Sequence, residues 1–546
     1  MSSPSIDLII EFTNENAGLM VAYFFINILT LFFETIVISI LLSKIFSAFD
    51  KKKDVKNLFI IFIAIFILIR LGYFLKSVVY DEIIPKFFYF LRTKLFNKVI
   101  DRYRVDYKEL NIGYVLFNFE HLPSSFKRLM TGLLQEYIPN VLALLLCICF
   151  IFYRNKTIGA VVLLGVILFI TVIAVTINNS ISLSAVEHTA FEQDNEHIQD
   201  RVNNLFDIYT SGTEVAEKEE FDHLERYLER IMIDGYKYIT MVISVLEVFV
   251  ILVLVASFYL MYKNKTMSSE NIISTILVLT YFFTYISKIS TNYIAISDVF
   301  GYSKESDRFL REINASTIPT VNSTVSSLHG PVEFKNVNFK YPSTDSKKIL
   351  NQANLYIKPG TKVAIFGKSG SGKSTLIKLL LGFYGPDSGS ITINGKNIKD
   401  IGIDQLRKNI SFVNQNPKLF DKTIFENMTY GVDDEITEDD IKKIIGNQNI
   451  FEGIGNGLNS NVGVSGSKLS GGQKQLVITV RAILKDTPIV ILDEPTSALD
   501  QSTKTMVLNI IKNLKNKTVI IITHDFSILD CVDKVYELVN GKLKIK

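Results

Sequence analysis

Hydrophobic positions are unevenly distributed along this chain. Before residue 300 they gather into runs near 18 to 44, 57 to 84, 134 to 153, 157 to 178, 237 to 262 and 271 to 298. Each is long enough to cross a ~30 Å hydrocarbon core, which takes about 20 helical residues. The pattern predicts six transmembrane helices, and an even number of crossings returns both termini to one side. Connections differ in kind. The second, near 85 to 133, and the fourth, near 179 to 236, are long, polar and predicted to be helical, while the first, third and fifth are short. Glu312 to Gly330 is rich in Ser, Thr, Asn and Pro and reads as a linker. The chain therefore divides into an α-helical six-span transmembrane domain over 1–311, a linker over 312–330 and an α/β domain over 331–546. In the last, Asn394-Gly395 and Asn540-Gly541 lie between strand-like runs and mark hairpins.

Chemistry concentrates in the α/β domain. Gly367-Lys368-Ser369-Gly370-Ser371-Gly372-Lys373-Ser374 is a complete GxxxxGK[ST] sequence. The apolar run Lys362 to Phe366 precedes it, reading as a buried strand, and Thr375 to Leu381 follows as a helix. That is the context of a phosphate-binding loop, in which glycines let several backbone N–H groups turn inward and the helix N-terminus favours negative charge. Lys373 is suited to neutralise phosphate and Ser374 to ligate Mg²⁺. Downstream, Ile489 to Leu492 reads as a central parallel strand ending in Asp493-Glu494. Asp493 is suited to the Mg²⁺ shell and Glu494 to polarising an attacking water. About a hundred residues after the loop comes Leu-Ser-Gly-Gly-Gln, 469 to 473.

With these two motifs, residues 331 to 546 resemble the nucleotide-binding domain of an ABC transporter. The long and short connections extend the resemblance to a half-size ABC exporter over nearly the whole chain. The resemblance implies an ATP hydrolase coupled to transport, with ATP and Mg²⁺ bound. Tyr341 would stack on adenine, and Gln415 would sense the γ-phosphate and help hold Mg²⁺ with Ser374 and Asp493. The loop residues 367 to 375, Thr375 included, would hold the phosphates. Ser470, Gly471, Gly472 and Gln473 would close over ATP held by an opposing subunit. Asp500, in Ser497-Ala498-Leu499-Asp500, would communicate between the two sites, and His524 would contact the γ-phosphate. Catalysis would rest on Glu494, His524, Gln415 and Lys373. A second half-transporter chain, most simply a copy of this one, is the implied partner. Short coupling helices are expected near Asn111 to Glu120 and Phe206 to Thr213. Val464 stands where many relatives carry an acidic residue that contacts the membrane domain, and Leu476 where a basic residue is common.

Composition fits a membrane protein: 48% of residues are hydrophobic and mean hydropathy is positive. A net charge of +3 says little about partners, and six spans exclude a soluble cassette working on nucleic acid. The start of the chain lacks a basic segment and a small-residue cleavage site, so the first run reads as a retained span. Cys147, Cys149 and Cys531 offer no disulfide framework. Lys86, Arg92, Lys94, Lys98, Arg102, Arg104 and Lys108 favour a cytoplasmic second connection, in agreement with the cytosolic ATPase domain that the resemblance implies. Lys51, Lys52, Lys53 and Lys56, in a connection placed outside, run against that rule.

Charges inside spans mark a pathway or a paired site. Glu34 and Arg70, about 15 and 20 Å from the outer ends of adjacent helices, are close enough in depth to pair. Lys288 is expected to snorkel to cytosolic water, and Glu247 is the expected cargo-facing charge. The resemblance implies small-molecule, lipid or peptide cargo, with lipid around the spans. Two rivals stand beside export: a lipid flippase between leaflets, and an ATP-gated channel or regulatory protein, which an intact Glu494 disfavours.

Overall fold

The computed structural model describes residues 4–104, 112–263, 267–314, 328–341, 348–445, 450–451, 454–497 and 499–546. The chain divides into two compact units, Met1–Arg102 with Glu109–Ser316, and Tyr103–Lys108 with Thr317–Lys546. Part of the expected linker, residues 315–327, lies outside the described residues. Helix persists to Asn314 before it, and Leu328 after it is buried in the core of the second unit.

The first unit is helical. Among the described residues six helices are long and apolar enough to cross a membrane: Ala17–Asp50, Lys56–Arg102, Gly113–Arg154, Lys156–Asn203, Glu214–Lys263 and Ser269–Asn314. Each contains one of the six runs read from the sequence, and the long polar connections continue the helices beyond the apolar stretch. The second span buries only 6% of its most apolar window, leaving Ile60, Ile67 and Leu71 exposed. Such a face suits hydrocarbon and not water. Where spans meet, small residues let them approach: a Cβ at Gly72 would lie 2.3 Å from Thr30 Oγ1, and one at Gly165 would lie 2.2 Å from Val253 Cγ2.

Three features were not read from the sequence. A helix over Pro4–Glu15 precedes the first span. It buries Leu8 and Phe12, the latter 4.9 Å from the Phe87 ring, and Ser5 N–H donates to Asp307 Oδ1 at 3.0 Å. Two spans also contain one turn of π-helix, Phe33–Val37 and Leu133–Tyr137. In the first, hydroxyls follow the widened ladder, Thr35 donating to Leu31 O and Ser39 to Thr35 O, both at 2.6 Å. The short helix expected near Phe206 to Thr213 corresponds to Leu205–Ser211, which ends at Gly212 and exposes Phe206 and Tyr209. The one expected near Asn111 to Glu120 does not stand apart. From Ile112 the chain is already the helix Ile112–Gly132, anchored by buried Leu122 and Phe126, and residues 105–111 lie outside the described set.

Among its described residues the second unit holds ten strands in two sheets: β1 Val332–Phe339, β2 Leu350–Ile357, β3 Lys362–Phe366, β4 Ser388–Ile393, β5 Lys396–Asn397, β6 Ile410–Val413, β7 Ile489–Asp493, β8 Thr518–Ile522, β9 Lys534–Val539 and β10 Lys542–Ile545. One sheet is antiparallel, in the order β2-β1-β4-β5. The other runs β10-β9-β3-β8-β7-β6, parallel except for its β9–β10 edge. Both expected hairpins form. Asn394-Gly395 turns β4 into β5 and Asn540-Gly541 turns β9 into β10, each with both residues at positive φ as a type I′ turn requires. The central strands β7 and β8 are buried at every position, which is why they read as unbroken aliphatic runs.

Ile521 of β8 is fully buried. Ile521→Ala is expected to destabilise the second unit by about 3 kcal/mol through lost burial and a residual cavity, read as a lower melting temperature of the purified protein.

Candidate active site

Strand register builds the site. In the parallel sheet Ile365 of β3 pairs with Ile522 of β8, and Ile522 pairs with Asp493 of β7. The three strands therefore end level, and the residues just beyond them emerge side by side at one edge, where open α/β sheets bind ligands. Gly367 begins the loop after β3, Glu494 follows β7, and Thr523-His524 follow β8. Backbone hydrogen bonds fix the exits: Glu494 N–H donates to Ile522 O at 2.8 Å and Thr523 N–H to Ile365 O at 3.3 Å. A cavity of about 630 Å³ opens there, lined among others by Tyr341, Lys373, Gln415, Asp493, Glu494 and His524. Gly367, Lys368, Ser369, Gly370, Gly372, Ser374 and Thr375 complete its wall, with Ile349.

The loop has the features of an anion cradle. Lys373 opens the helix Lys373–Leu380, whose N-cap, Gly372, supplies no side-chain hydrogen bond to the first turn. Those N–H groups face the cavity without a capping side chain. Gly372 has φ of 104°, and a Cβ there would come 2.9 Å from Ile349 Cγ2, so glycine alone fits. Lys373 Nζ donates to its own loop carbonyls, Gly367 O at 2.7 Å and Lys368 O at 3.1 Å. Ser371 Oγ is buried and has no hydrogen-bond partner among the described residues. A triphosphate supplies the acceptors that this cluster of donors lacks, so the residues fit ATP. Tyr341 stands at the far wall, its hydroxyl 3.0 Å from Thr375 Oγ1.

Both members of the acidic pair are buried. Asp493 is 7% exposed, and burial together with neighbouring Glu494 pushes its carboxyl up to about 6, although Lys373 opposes the shift. The Asp493 carboxylate, the Ser374 hydroxyl and the Gln415 amide oxygen share the cavity wall, an oxygen donor set suited to Mg²⁺. Glu494 is also buried and adopts φ of 50°, a strained conformation for a non-glycine residue that clusters at functional sites. His524 Nδ1 sits 2.8 Å from Glu494 Oε1, and Thr523 Oγ1 is 3.5 Å from Oε2. Gln415 is exposed at the cavity rim.

The remaining predicted residues lie elsewhere. Ser470, Gly471, Gly472, Gln473 and Asp500 do not line this cavity. Ser470 caps the helix Gly471–Leu484 in a capping box with Gln473. Asp500 caps Gln501–Asn513, and hydrogen bonds from Ser502 and Thr503 hold its carboxyl below the usual range. Sequence reasoning did not find the polar link behind His524, in which Asp525 accepts from Thr496 Oγ1 at 2.8 Å and pairs with Lys504 at 2.7 Å. Its other two members, Thr496 and Lys504, fall outside the short motifs. Val464 is 71% exposed, whereas Leu476 is fully buried, so a charged side chain at 476 would displace core packing.

A family model described as ABC transporter matches residues 350–497. The export ATP-binding/permease protein of Rickettsia typhi is 30% identical over 507 residues, covering 89% of this chain and 86% of that protein. The chain belongs to the ABC transporter family. It is a half-size ABC exporter, an integral membrane protein whose ATPase domain powers transport. Among solved structures, a bacterial Atm1-family ABC exporter with ATP bound superposes with a TM-score of 0.86 at 22% identity, covering 96% of this chain and 94% of that one, a likeness of fold. The exporter is also 37% identical to the ATP-dependent lipid A-core flippase of Hahella chejuensis, over 220 residues that cover 40% of this chain and 37% of the flippase.

Asp493 generates a pH prediction. Its folded-state value of about 6 lies above the ordinary ~3.9 of an aspartate, so the folded exporter keeps a proton that the unfolded chain releases. That contribution to stability is complete below about pH 4 and is lost as pH rises through about 6. Without nucleotide or Mg²⁺, Asp493→Asn should raise the melting temperature relative to wild type more at about pH 8 than at about pH 5. An equal difference at both pH values would remove the burial argument.

Proposed function

We propose that the exporter works as a homodimer with two composite ATP sites, its ATPase domains in the cytoplasm, and that nucleotide-driven closure of these domains turns the membrane cavity outward. The observation that carries this reading is the separation within one chain. The phosphate loop, Asp493, Glu494 and His524 line one cavity, while Ser470 to Gln473 begin a helix away from it. A second chain would bring its signature over the first chain's phosphates.

In this reading the loop amides and Lys373 bind the β- and γ-phosphates, and Tyr341 stacks on adenine. Bound Mg²⁺ would neutralise phosphate charge and orient the γ-phosphate, and Ser374, Gln415 and Asp493 are the residues that would hold it. Glu494 orients water for attack and accepts its proton. His524, already hydrogen-bonded to Glu494, fixes that carboxylate and reaches the γ-phosphate. Once the γ-phosphate leaves, Ser374, Gln415, His524 and the opposing signature lose their common partner and the domains separate. The likeness to the lipid A-core flippase covers only 220 residues and carries no argument about cargo.

The experiment is Mg²⁺-dependent ATPase activity of the purified exporter in lipid, beside Glu494→Gln. Loss of the base is expected to lower turnover at least about a hundredfold while ATP still raises the melting temperature. Wild-type turnover that Glu494→Gln leaves intact would contradict the assignment.

A further inference from the structure

The membrane unit contains a second cavity, of about 500 Å³, walled by the first, second, third and sixth spans. That is within the range of small-molecule sites. Both π-helical turns border it. The turn Phe33–Val37 supplies Glu34, and the turn Leu133–Tyr137 supplies Gln135. Such turns insert one residue into a helix and recur at functional sites. Here two on different spans meet at one cavity.

The charges around it are unequal. Lys76 and Lys288 line the cavity with a single carboxylate, Glu34. Glu34 already accepts a hydrogen bond from the Tyr73 hydroxyl. The ion pair expected between Glu34 and Arg70 does not form, because Arg70 lies 5.0 Å over the Phe66 ring. Glu247, expected to face cargo, is exposed and lines no part of this cavity. Lys76 Nζ donates to the neutral Asn27 Oδ1 at 3.1 Å and otherwise meets the rings of Tyr23 and Tyr73. Lys288 Nζ lies 5.8 Å from the Tyr285 ring. Among the described residues neither ammonium group is ion-paired. Two ammonium groups against one carboxylate leave a formal +1 at the cavity wall, with Lys76 half-buried and Lys288 exposed, and an anion is the complement of that charge. A cationic occupant would approach two like charges to reach one carboxylate that is already hydrogen-bonded. Leu31, Leu42 and Leu277 add apolar wall.

We propose that this cavity is the exporter's cargo site and takes an amphiphile with an acidic head group, a carboxylate or phosphate held between Lys76 and Lys288 with its apolar body along the leucines. As a cargo assignment it rests on the export reading above. Neither a soluble acidic amphiphile nor an anionic lipid is favoured by the head-group chemistry alone, so the test separates them.

The full-length exporter in nanodiscs of neutral phosphatidylcholine, without ATP, is photolabelled with a diazirine-bearing dodecanoate and with the matching dodecylammonium. Labelled peptides are then mapped. The acid is expected to label the walls around Tyr73 and Tyr281 about tenfold more than the amine, the order expected for a charge-assisted contact. Lys76→Gln with Lys288→Gln should abolish that preference, while Lys76→Arg with Lys288→Arg should retain it in protein whose ATP-dependent thermal shift is normal. Competition by added phosphatidylglycerol would identify anionic lipid as the natural occupant. Its failure to compete would identify a soluble amphiphile, and either result leaves the anion site standing. Stronger labelling by the amine, or acid labelling that the glutamine pair leaves unchanged, would overturn the proposal. Labelling requires no turnover, so it fails or succeeds independently of hydrolysis at Glu494.

Discussion

Parallel pairing of β3, β8 and β7 in one register is the constraint on which the ATPase half depends. Because Ile365, Ile522 and Asp493 are level across three hydrogen-bonded strands, the chain leaves the sheet three times at the same edge. A loop of N–H donors, a pair of carboxylates and a histidine meet there without any of them being near in sequence. Shifting one strand by a residue would move its exit and reverse the face of every side chain along it. The aliphatic content of β7 and β8 is therefore as much a part of the site as Glu494. Burial of those strands fixes the register, the register holds Glu494 at positive φ against His524, and that geometry is what the hydrolysis we propose would use.

The same sheet leaves the signature helix outside the cavity it is expected to serve. Ser470 and Gln473 spend their side chains on a capping box, and Asp500 on the helix that follows β7. These residues stabilise helix starts locally, and each start presents backbone N–H groups suited to an anion. In the dimer we propose, one chain offers phosphate donors from β3 and its partner offers them from the signature helix. ATP then becomes the contact that joins the two.

Much of this was legible in the sequence because the signals were local. The six apolar runs, the loop Gly367 to Ser374, the Asp493-Glu494 strand end and both Asn-Gly hairpins each depend on a handful of adjacent residues, and each appears where the pattern put it. What was missed depends on packing between distant elements. Pro4–Glu15 is too short and mixed to stand out, and becomes a helix against Phe87. The π-helical turns carry no composition of their own. Depth alone paired Glu34 with Arg70, yet Arg70 lies over Phe66 one turn back on its own helix, and Tyr73 is the residue of that helix that meets Glu34. Lys76, within the second apolar run, was not singled out from the sequence, and the three-dimensional arrangement is what connects it with Lys288.

The central claim is that a working site is made from two chains. Its most direct measurement is ATPase complementation between an exporter carrying Lys373→Ala and one carrying Ser470→Arg, co-purified through different tags in lipid. Each variant alone should be inactive. The mixed dimer should regain substantial turnover, because it keeps one site in which an intact phosphate loop faces an intact signature. A mixed dimer as inactive as its parents would contradict the composite site.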